Sequence, residues 1–220
     1  TSFEDRNGCL DSDRDGWSDD DNNWPAHPDG LADAFSLVAS QWKDTDGDRY
    51  GDNQSEGAFE PDACPITSGT SWQDRFGCPD GDGDGYSNEG DAFENDHDQW
   101  VDSDSDGRGD NPIFEVQPFS ELRLNQTGDA FPMNPTQWND TDGDTWGDNY
   151  HDASWTSIRP MDNSSTPEDE SWPGELMANA TRVDVFPLDR YQWADSDGDW
   201  VGDQPNTPRS DGCPNTWGNS

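Results

Sequence analysis

Lysine is almost missing from this chain, and so are large aliphatic side chains. Lys43 is the single lysine, and 11 Lys+Arg face 50 Asp+Glu for a formal charge of −39. With no basic patch, nucleic acid is excluded as a partner. Leu, Ile, Val and Phe together number 25 in 220 residues, a share that ordinarily signals disorder and excludes one large core. No apolar run approaches the ~20 residues of a spanning helix. Histidine is limited to His27, His97 and His151, isolated from one another, and there are four cysteines. Zinc, which takes Cys and His, is disfavoured, and no nucleophile motif suggests an enzyme. The chain starts at Thr1 without methionine or a visible targeting peptide, which reads as a processed product or a segment of something longer.

What is present argues against plain disorder. There are 12 tryptophans, and the acid is 40 Asp against 10 Glu. A solvating tail has no reason to prefer the shorter carboxylate. The chain also repeats itself. A D-x-D-x-D core with Asp or Asn at the ninth position recurs six times, over 11–19, 44–52, 80–88, 102–110, 140–148 and 195–203. A second word, D-[AV]-F-x5-Q-W, recurs four times, over 33–42, 91–100, 129–138 and 184–193. One residue after each of its tryptophans a core begins. Cores 11–19 and 80–88 instead follow Gly-Cys and carry Gly at the sixth position; the other four carry Gly at the eighth. These words divide the chain into units 1–63, 64–128, 129–183 and 184–220, the first two with two cores each. Inserts at 53–77, 111–128 and 149–183 read as loops. Within them 113–116 and 122–124 read as a short hairpin, and 160–175 as an exposed linker. Helix content should be low, because Gly, Pro, Asn and Asp interrupt nearly every window.

Carboxylates at positions one, three and five, a carbonyl at seven and an acid at nine follow the ligand order of an EF-hand-type calcium loop. The expected ligands are Asp11, Asp13, Asp15, Trp17 and Asp19; Asp44, Asp46, Asp48, Tyr50 and Asp52; Asp80, Asp82, Asp84, Tyr86 and Asn88. The second half of the chain adds Asp102, Asp104, Asp106, Arg108 and Asp110; Asp140, Asp142, Asp144, Trp146 and Asp148; Asp195, Asp197, Asp199, Val201 and Asp203. Calcium takes 6–8 oxygens in a forgiving geometry, whereas magnesium demands a strict octahedron and keeps its waters. One such core alone is equally well read as a solvated acidic turn; six in register are not. These are not EF-hand pairs, because the twelfth positions are Asn22, Ser55, Asp91, Ile113, His151 and Asn206 and no amphipathic helix flanks them. Asp91 both occupies a twelfth position and opens a D-A-F word. By analogy Asp33 would close the 11–19 loop from a distance.

The cores, the Cys-Pro pairs and the D-A-F-P words resemble thrombospondin type 3 calcium repeats, in the versions found in large archaeal and bacterial surface proteins. The resemblance covers nearly all of the chain except the inserts. It implies a mostly irregular, loop-built, calcium-stabilised repeat array, elongated, with few short strands or helical turns. Arg49, Thr145 and Trp200 depart from the pattern by standing where the sixth-position Gly would be.

The Phe and Trp of each D-[AV]-F word (Phe35/Trp42, Phe93/Trp100, Phe131/Trp138, Phe186/Trp193) are expected to pack as small aromatic clusters between loops, in place of an aliphatic core. The alternative is that off-register Trp72, Trp155, Trp172 or Trp217 stack on sugar rings. Four cysteines in such a chain point to an oxidising compartment. Cys64 and Cys78 close a Gly/Pro-rich stretch and should form a disulfide. Cys9 and Cys213 remain at opposite ends. The tail DGCPNTWGNS followed by the head TSFEDRNGC repeats the wording of 63–78. Cys213 is therefore expected to bond Cys9 of a following copy, in one long polypeptide or between head-to-tail subunits; the alternative is a ring closed within one chain. The same junction completes an Asn-Ser-Thr sequon from Asn219, Ser220 and Thr1. Complete sequons occur at Asn53, Asn125, Asn139, Asn163 and Asn179, of which Asn125, Asn163 and Asn179 lie in inserts and suit glycans better.

The functional expectation is an extracellular or cell-surface structural protein binding six or more Ca2+ per 220 residues. It would be a repeat of a rod, stalk or filament joined head-to-tail and stiffened by calcium and disulfides. The alternative is a calcium-stabilised adhesin that presents Trp-rich inserts to glycans or a partner protein. A calcium switch is not expected, because no helix pairs are available to open.

Overall fold

The computed structural model describes residues 1–111, 128–158, 173–207 and 210–218. The expected hairpin at 113–116 and 122–124, most of the 160–175 linker, Trp172, Asn125, Asn163 and the Asn219–Ser220 part of the junction sequon lie outside them. Among the described residues there is one helix, α1 (Trp155–Ile158), and six isolated bridges in place of any sheet. The loop-rich reading holds. No helix of the described residues is long and apolar enough to cross a membrane.

The chain forms two compact units, Thr1–Trp100 and Val101–Ser220. The boundary follows a Q-W pair, within the span 64–128. Each unit contains three of the six Asp cores.

The interior of this protein is polar. Among the described residues the buried hydrophobic ones are Ala32, Cys78, Trp138, Tyr150 and Ala180, while the buried polar set includes Gln41, Gln99, Gln137, Gln192 and many aspartates. A buried amide is tolerated only when its donors and acceptor are met. Gln137 meets them by acting as a rung: its Nε2 donates to the carbonyls of Asn149 and Thr181, and its Oε1 accepts from the Asn149 amide. Gln41 does the same with Asn53 and Phe59, and Gln192 with Gln204, its second donation going to the Thr207 hydroxyl.

This rung explains the two kinds of core. A Cβ on Gly51, Gly147 or Gly202 would collide with Oε1 of Gln41, Gln137 or Gln192, so these three Q-W cores require Gly at the eighth position. In the Gly-Cys cores the eighth residue is serine, and a different clasp holds it. Asp5 accepts from both the amide and the hydroxyl of Ser18, and Asp74 does so from Ser87.

Aromatic rings tie successive cores within each unit, but not through the pairs expected from the words. Each Trp of a Q-W pair meets the seventh residue of the preceding core. Trp17 stacks on Trp42 at 6.3 Å, Tyr86 on Trp100 at 5.3 Å and Trp146 on Trp193 at 6.2 Å. The Arg108 guanidinium lies 5.3 Å from the Trp138 ring centre, a cation–π contact in the same place. Tyr50 meets Phe76 at 5.6 Å.

Candidate metal centres

Each core is a tight coil made by aspartates bonding their own backbone. The amide of the fourth residue donates to Oδ1 of the first at 2.6–2.8 Å in all six cores. The fifth-residue amide donates to Oδ1 of the third, and the seventh to Oδ1 of the fifth at 2.8–2.9 Å. Only a side chain as short as Asp can reach back over two or three residues in this way. The coil requires left-handed backbone at the fourth and sixth positions of every core. Arg49, Thr145 and Trp200 adopt it with φ of 81°, 78° and 68°, as Gly16, Gly85 and Gly107 do without strain. The departures from the Gly pattern therefore leave the coil intact.

The first Asp gives its second oxygen to the sixth-residue amide in five cores, at 2.8–3.0 Å, whereas most third and fifth residues keep theirs. The carboxylate oxygens of Asp11/Asp13/Asp15, Asp44/Asp46/Asp48, Asp80/Asp82/Asp84, Asp102/Asp104/Asp106 and Asp140/Asp142/Asp144 come within 4.8 Å of one another. The core at Asp195, Asp197 and Asp199 repeats the same hydrogen bonds. Oδ2 of Asp13, Asp15, Asp46, Asp82, Asp84, Asp104, Asp106, Asp142, Asp144 and Asp197 is buried with no hydrogen-bond partner. Asp48 and Asp199 differ, because their Oδ2 atoms accept the amides of Gly69 and Gly218, each at 3.0 Å. No amide among the described residues donates to the seventh-position carbonyls of Trp17, Tyr50, Tyr86, Arg108, Trp146 and Val201.

A distant aspartate closes every core, and the six closures follow one rule. The amides of Asp33, Asp62, Asp91, Asp129, Asp184 and Asp211 donate to the eighth-position carbonyl of their cores, Ser18, Gly51, Ser87, Gly109, Gly147 and Gly202, at 2.7–2.9 Å. Each closing Asp spends Oδ1 on the amide two residues ahead, at 2.6–2.7 Å. Oδ2 of Asp33, Asp62, Asp129 and Asp211 is again buried without a partner. Asp33 and Asp91 stand where the sequence placed them. Asp62, Asp129, Asp184 and Asp211 were missed, although one signal marks all six: an Asp, a small residue or valine, then Phe or Cys.

The ninth positions have a second task. Asp19, Asp52, Asp110 and Asp148 accept both the amide and the hydroxyl of the second residue, Ser12, Thr45, Ser103 and Thr141. Asp203 accepts the Ser196 hydroxyl and keeps its Oδ1 buried without a partner. Lys43 also pairs with Asp52 at 2.9 Å. In the 80–88 core the second residue is Gly81, and Asn88 carries no such bond among those described. All six ninth residues donate their amides to the residue before the core.

Crowding of carboxylates in a partly desolvated coil shows in their proton affinities. Burial, and secondarily the neighbouring core carboxylates, pushes Asp33 and Asp142 up to about 7, Asp15, Asp62 and Asp129 to about 6, and Asp184 to about 9. Anionic oxygens held together and withheld from water call for a cation. Triplets of carboxylates, a carbonyl and a closing carboxylate are an all-oxygen donor set, suited to a hard divalent ion of calcium's size and not to zinc.

Cys64 and Cys78 form the expected disulfide, with Cα atoms 5.1 Å apart. Cys9 and Cys213 are free, and Cys213 is exposed. Asn179 is exposed, as a glycan site must be, whereas Asn53 uses its side-chain amide to donate to the Ser40 carbonyl at 2.8 Å. Asn139 is half-buried beside the 140–148 core. Trp72 and Trp217 are exposed; Trp155 is packed among Tyr150, His151 and Trp200. No protein-family model matches the chain, and no curated protein matches it.

Proposed function

We propose that this chain is an extracellular calcium-binding structural protein, a repeat of a rod, stalk or filament whose folding is completed by at least one Ca2+ per core. The observation that carries the reading is the recurrent set of buried, partnerless Oδ2 atoms in the cores and their closing aspartates. A folded chain does not leave that many anionic oxygens unmet. The first, third and fifth carboxylates, the seventh carbonyl and the closing Asp would hold the ion, and the ion supplies the positive charge that lets them converge. Metal binding is then folding free energy, and the disulfide 64–78 adds a covalent tie beside one core.

The test is the near-UV circular dichroism of the tryptophans. EDTA should abolish the ordered signal, and excess calcium, but not an equal concentration of magnesium, should restore it. A spectrum unchanged by EDTA would end the reading. The second reading, a calcium-stabilised adhesin, is favoured by Trp72 and Trp217, which are 53% and 62% exposed. Electron micrographs of native material separate the two: long threads support the structural role, and isolated particles that bind glycans support the adhesin.

A further inference from the structure

One disulfide-bridged element occurs whole inside this chain and again as two separate halves. In the whole element, 62–78, the first half makes four bonds: Asp62 amide to Gly51 carbonyl, Cys64 amide to Asp62 Oδ1, Thr67 amide to Cys64 carbonyl, and Gly69 amide to Asp48 Oδ2. Residues 211–218 make the same four, Asp211 to Gly202, Cys213 to Asp211, Thr216 to Cys213, and Gly218 to Asp199. The second half of the element bonds Ser71 amide to Cys78 carbonyl, Gly77 amide to Ser71 carbonyl, and the amides of Trp72 and Gln73 to Gly85 carbonyl, while Asp74 clasps Ser87. Residues 1–9 repeat this: Ser2 to Cys9, Gly8 to Ser2, Phe3 and Glu4 to Gly16, with Asp5 clasping Ser18.

Each separate half is therefore already shaped, on its own Asp core, as it is in the whole. What distinguishes them is the missing mate. In 62–78 the halves are joined by the Ala63 amide donating to the Phe76 carbonyl at 2.9 Å and by the disulfide. At the separate halves the matching groups are Gly212, Asn7 and the free thiols of Cys213 and Cys9. A Cβ built on Gly212 would meet nothing within 4 Å, so there is open space at that residue.

We propose that residues 211–218 of one copy of this chain dock against residues 1–9 of a second copy, the Gly212 amide donating to the Asn7 carbonyl and Cys213 forming a disulfide with Cys9. The contact joins two different surfaces, so it propagates and does not close a pair. It rests on the filament reading and gives that filament its joint. Bond formation removes two protons and two electrons from the thiols. In the test oxidised glutathione accepts them and leaves as two reduced glutathione molecules.

The experiment mixes unlabelled and 15N-labelled 220-residue chain in calcium with a glutathione redox couple, followed by non-reducing electrophoresis and peptide mass spectrometry. The expected result is a ladder of oligomers containing Cys9–Cys213 peptides of mixed isotope, lost in both Cys213→Ser and Cys9→Ser. Cys9–Cys213 peptides of single isotope only, with no mixed ones, meaning a ring within one chain, would overturn the joint. So would a Cys64–Cys78 peptide without any Cys9–Cys213 link. The near-UV spectrum of the same samples separates the two readings. A calcium-dependent spectrum with no mixed link defeats the joint alone, and a mixed link with a spectrum indifferent to calcium defeats the calcium reading alone.

Discussion

Each core aspartate works twice, and this accounts for the preference for Asp over Glu. At the third and fifth positions one oxygen bonds a backbone amide two residues on, which sets the coil, and the other is turned inward with no hydrogen except in Asp48 and Asp199. The first Asp bonds the fourth-residue amide and, in five cores, the sixth-residue amide as well. An extra methylene would carry both oxygens past their marks. The closing residues test the division of labour. Asp62→Asn or Asp129→Asn can keep its oxygen on the Cys64 or Phe131 amide while presenting a neutral group to the ion. Native mass spectrometry should count one calcium fewer per chain at limiting calcium, with affinity at that core down on the order of tenfold or more. An unchanged count would remove these residues from the ligand set. The raised proton affinities set a sign as well. A carboxylate whose folded value lies above its ordinary value stabilises the fold below that ordinary value and ceases to do so as pH rises through the folded one. With Asp33 and Asp142 at about 7 and Asp184 at about 9, calcium-free chain should be most compact near pH 4 and expand between about pH 5 and 9. Small-angle scattering in EDTA measures this; a radius that does not grow with pH contradicts it.

Cores become a linked structure through two clasps that occupy the place of a hydrophobic core. The Gln rung and the eighth-position Gly form one device, because the glycine leaves the room that the amide fills. Gly147→Ala should therefore cost about 1–3 kcal/mol by overpacking, read from calcium-loaded thermal or urea unfolding followed by Trp fluorescence. Gly212→Ala, where a Cβ meets nothing within 4 Å, should change stability by less than about 0.5 kcal/mol. Equal effects at the two sites would mean that the rung does not bear on Gly147. These devices also mark what could be read in the order of residues. The cores were legible because their spacing is local: alternate aspartates name themselves as ligands. Asp91 was legible because it follows its core directly. Asp184 was not, because the insert 149–183 separates it from the core it closes. Asp62 and Asp211 are hidden in Cys words, where the neighbouring cysteine points to a disulfide and not to a carboxylate ligand. The position-eight alternation of Gly and Ser was visible as a pattern but silent as to cause. Its reason is a side chain from a neighbouring segment, which only the folded chain supplies. The aromatic pairs failed for the same reason: Phe35 and Trp42 share a word, yet Trp42 finds Trp17 from the core before.

Across all 220 residues the formal charge of −39 sets the terms. Six divalent ions would reduce it only to about −27, so bound ions beyond one per core, or a dense counterion cloud, must accompany the folded state. On the proposed reading the scarcity of aliphatics follows from the same source, since an ion with its ring of oxygens would fill the centre of each coil. The fold also governs how the covalent chain ages. Asp-Gly bonds are the weak points of aspartate-rich proteins, because the glycine nitrogen attacks the preceding carboxyl carbon and leaves isoaspartate through a succinimide ring. Eight such bonds lie in the cores, and four of them, Asp46-Gly47, Asp82-Gly83, Asp142-Gly143 and Asp197-Gly198, join the third and fourth residues. In each of these four, the glycine amide is already committed to the first Asp of its core, at 2.7–2.8 Å. The coil thus withholds the attacking nitrogen at the places where its composition makes damage easiest. Warm storage in calcium should leave these four sites free of isoaspartate, and storage in EDTA should accumulate it there first, as methyltransferase labelling and peptide mapping would show. In an environment where a filament cannot be replaced once laid down, the ion would then act as a preservative of the covalent chain.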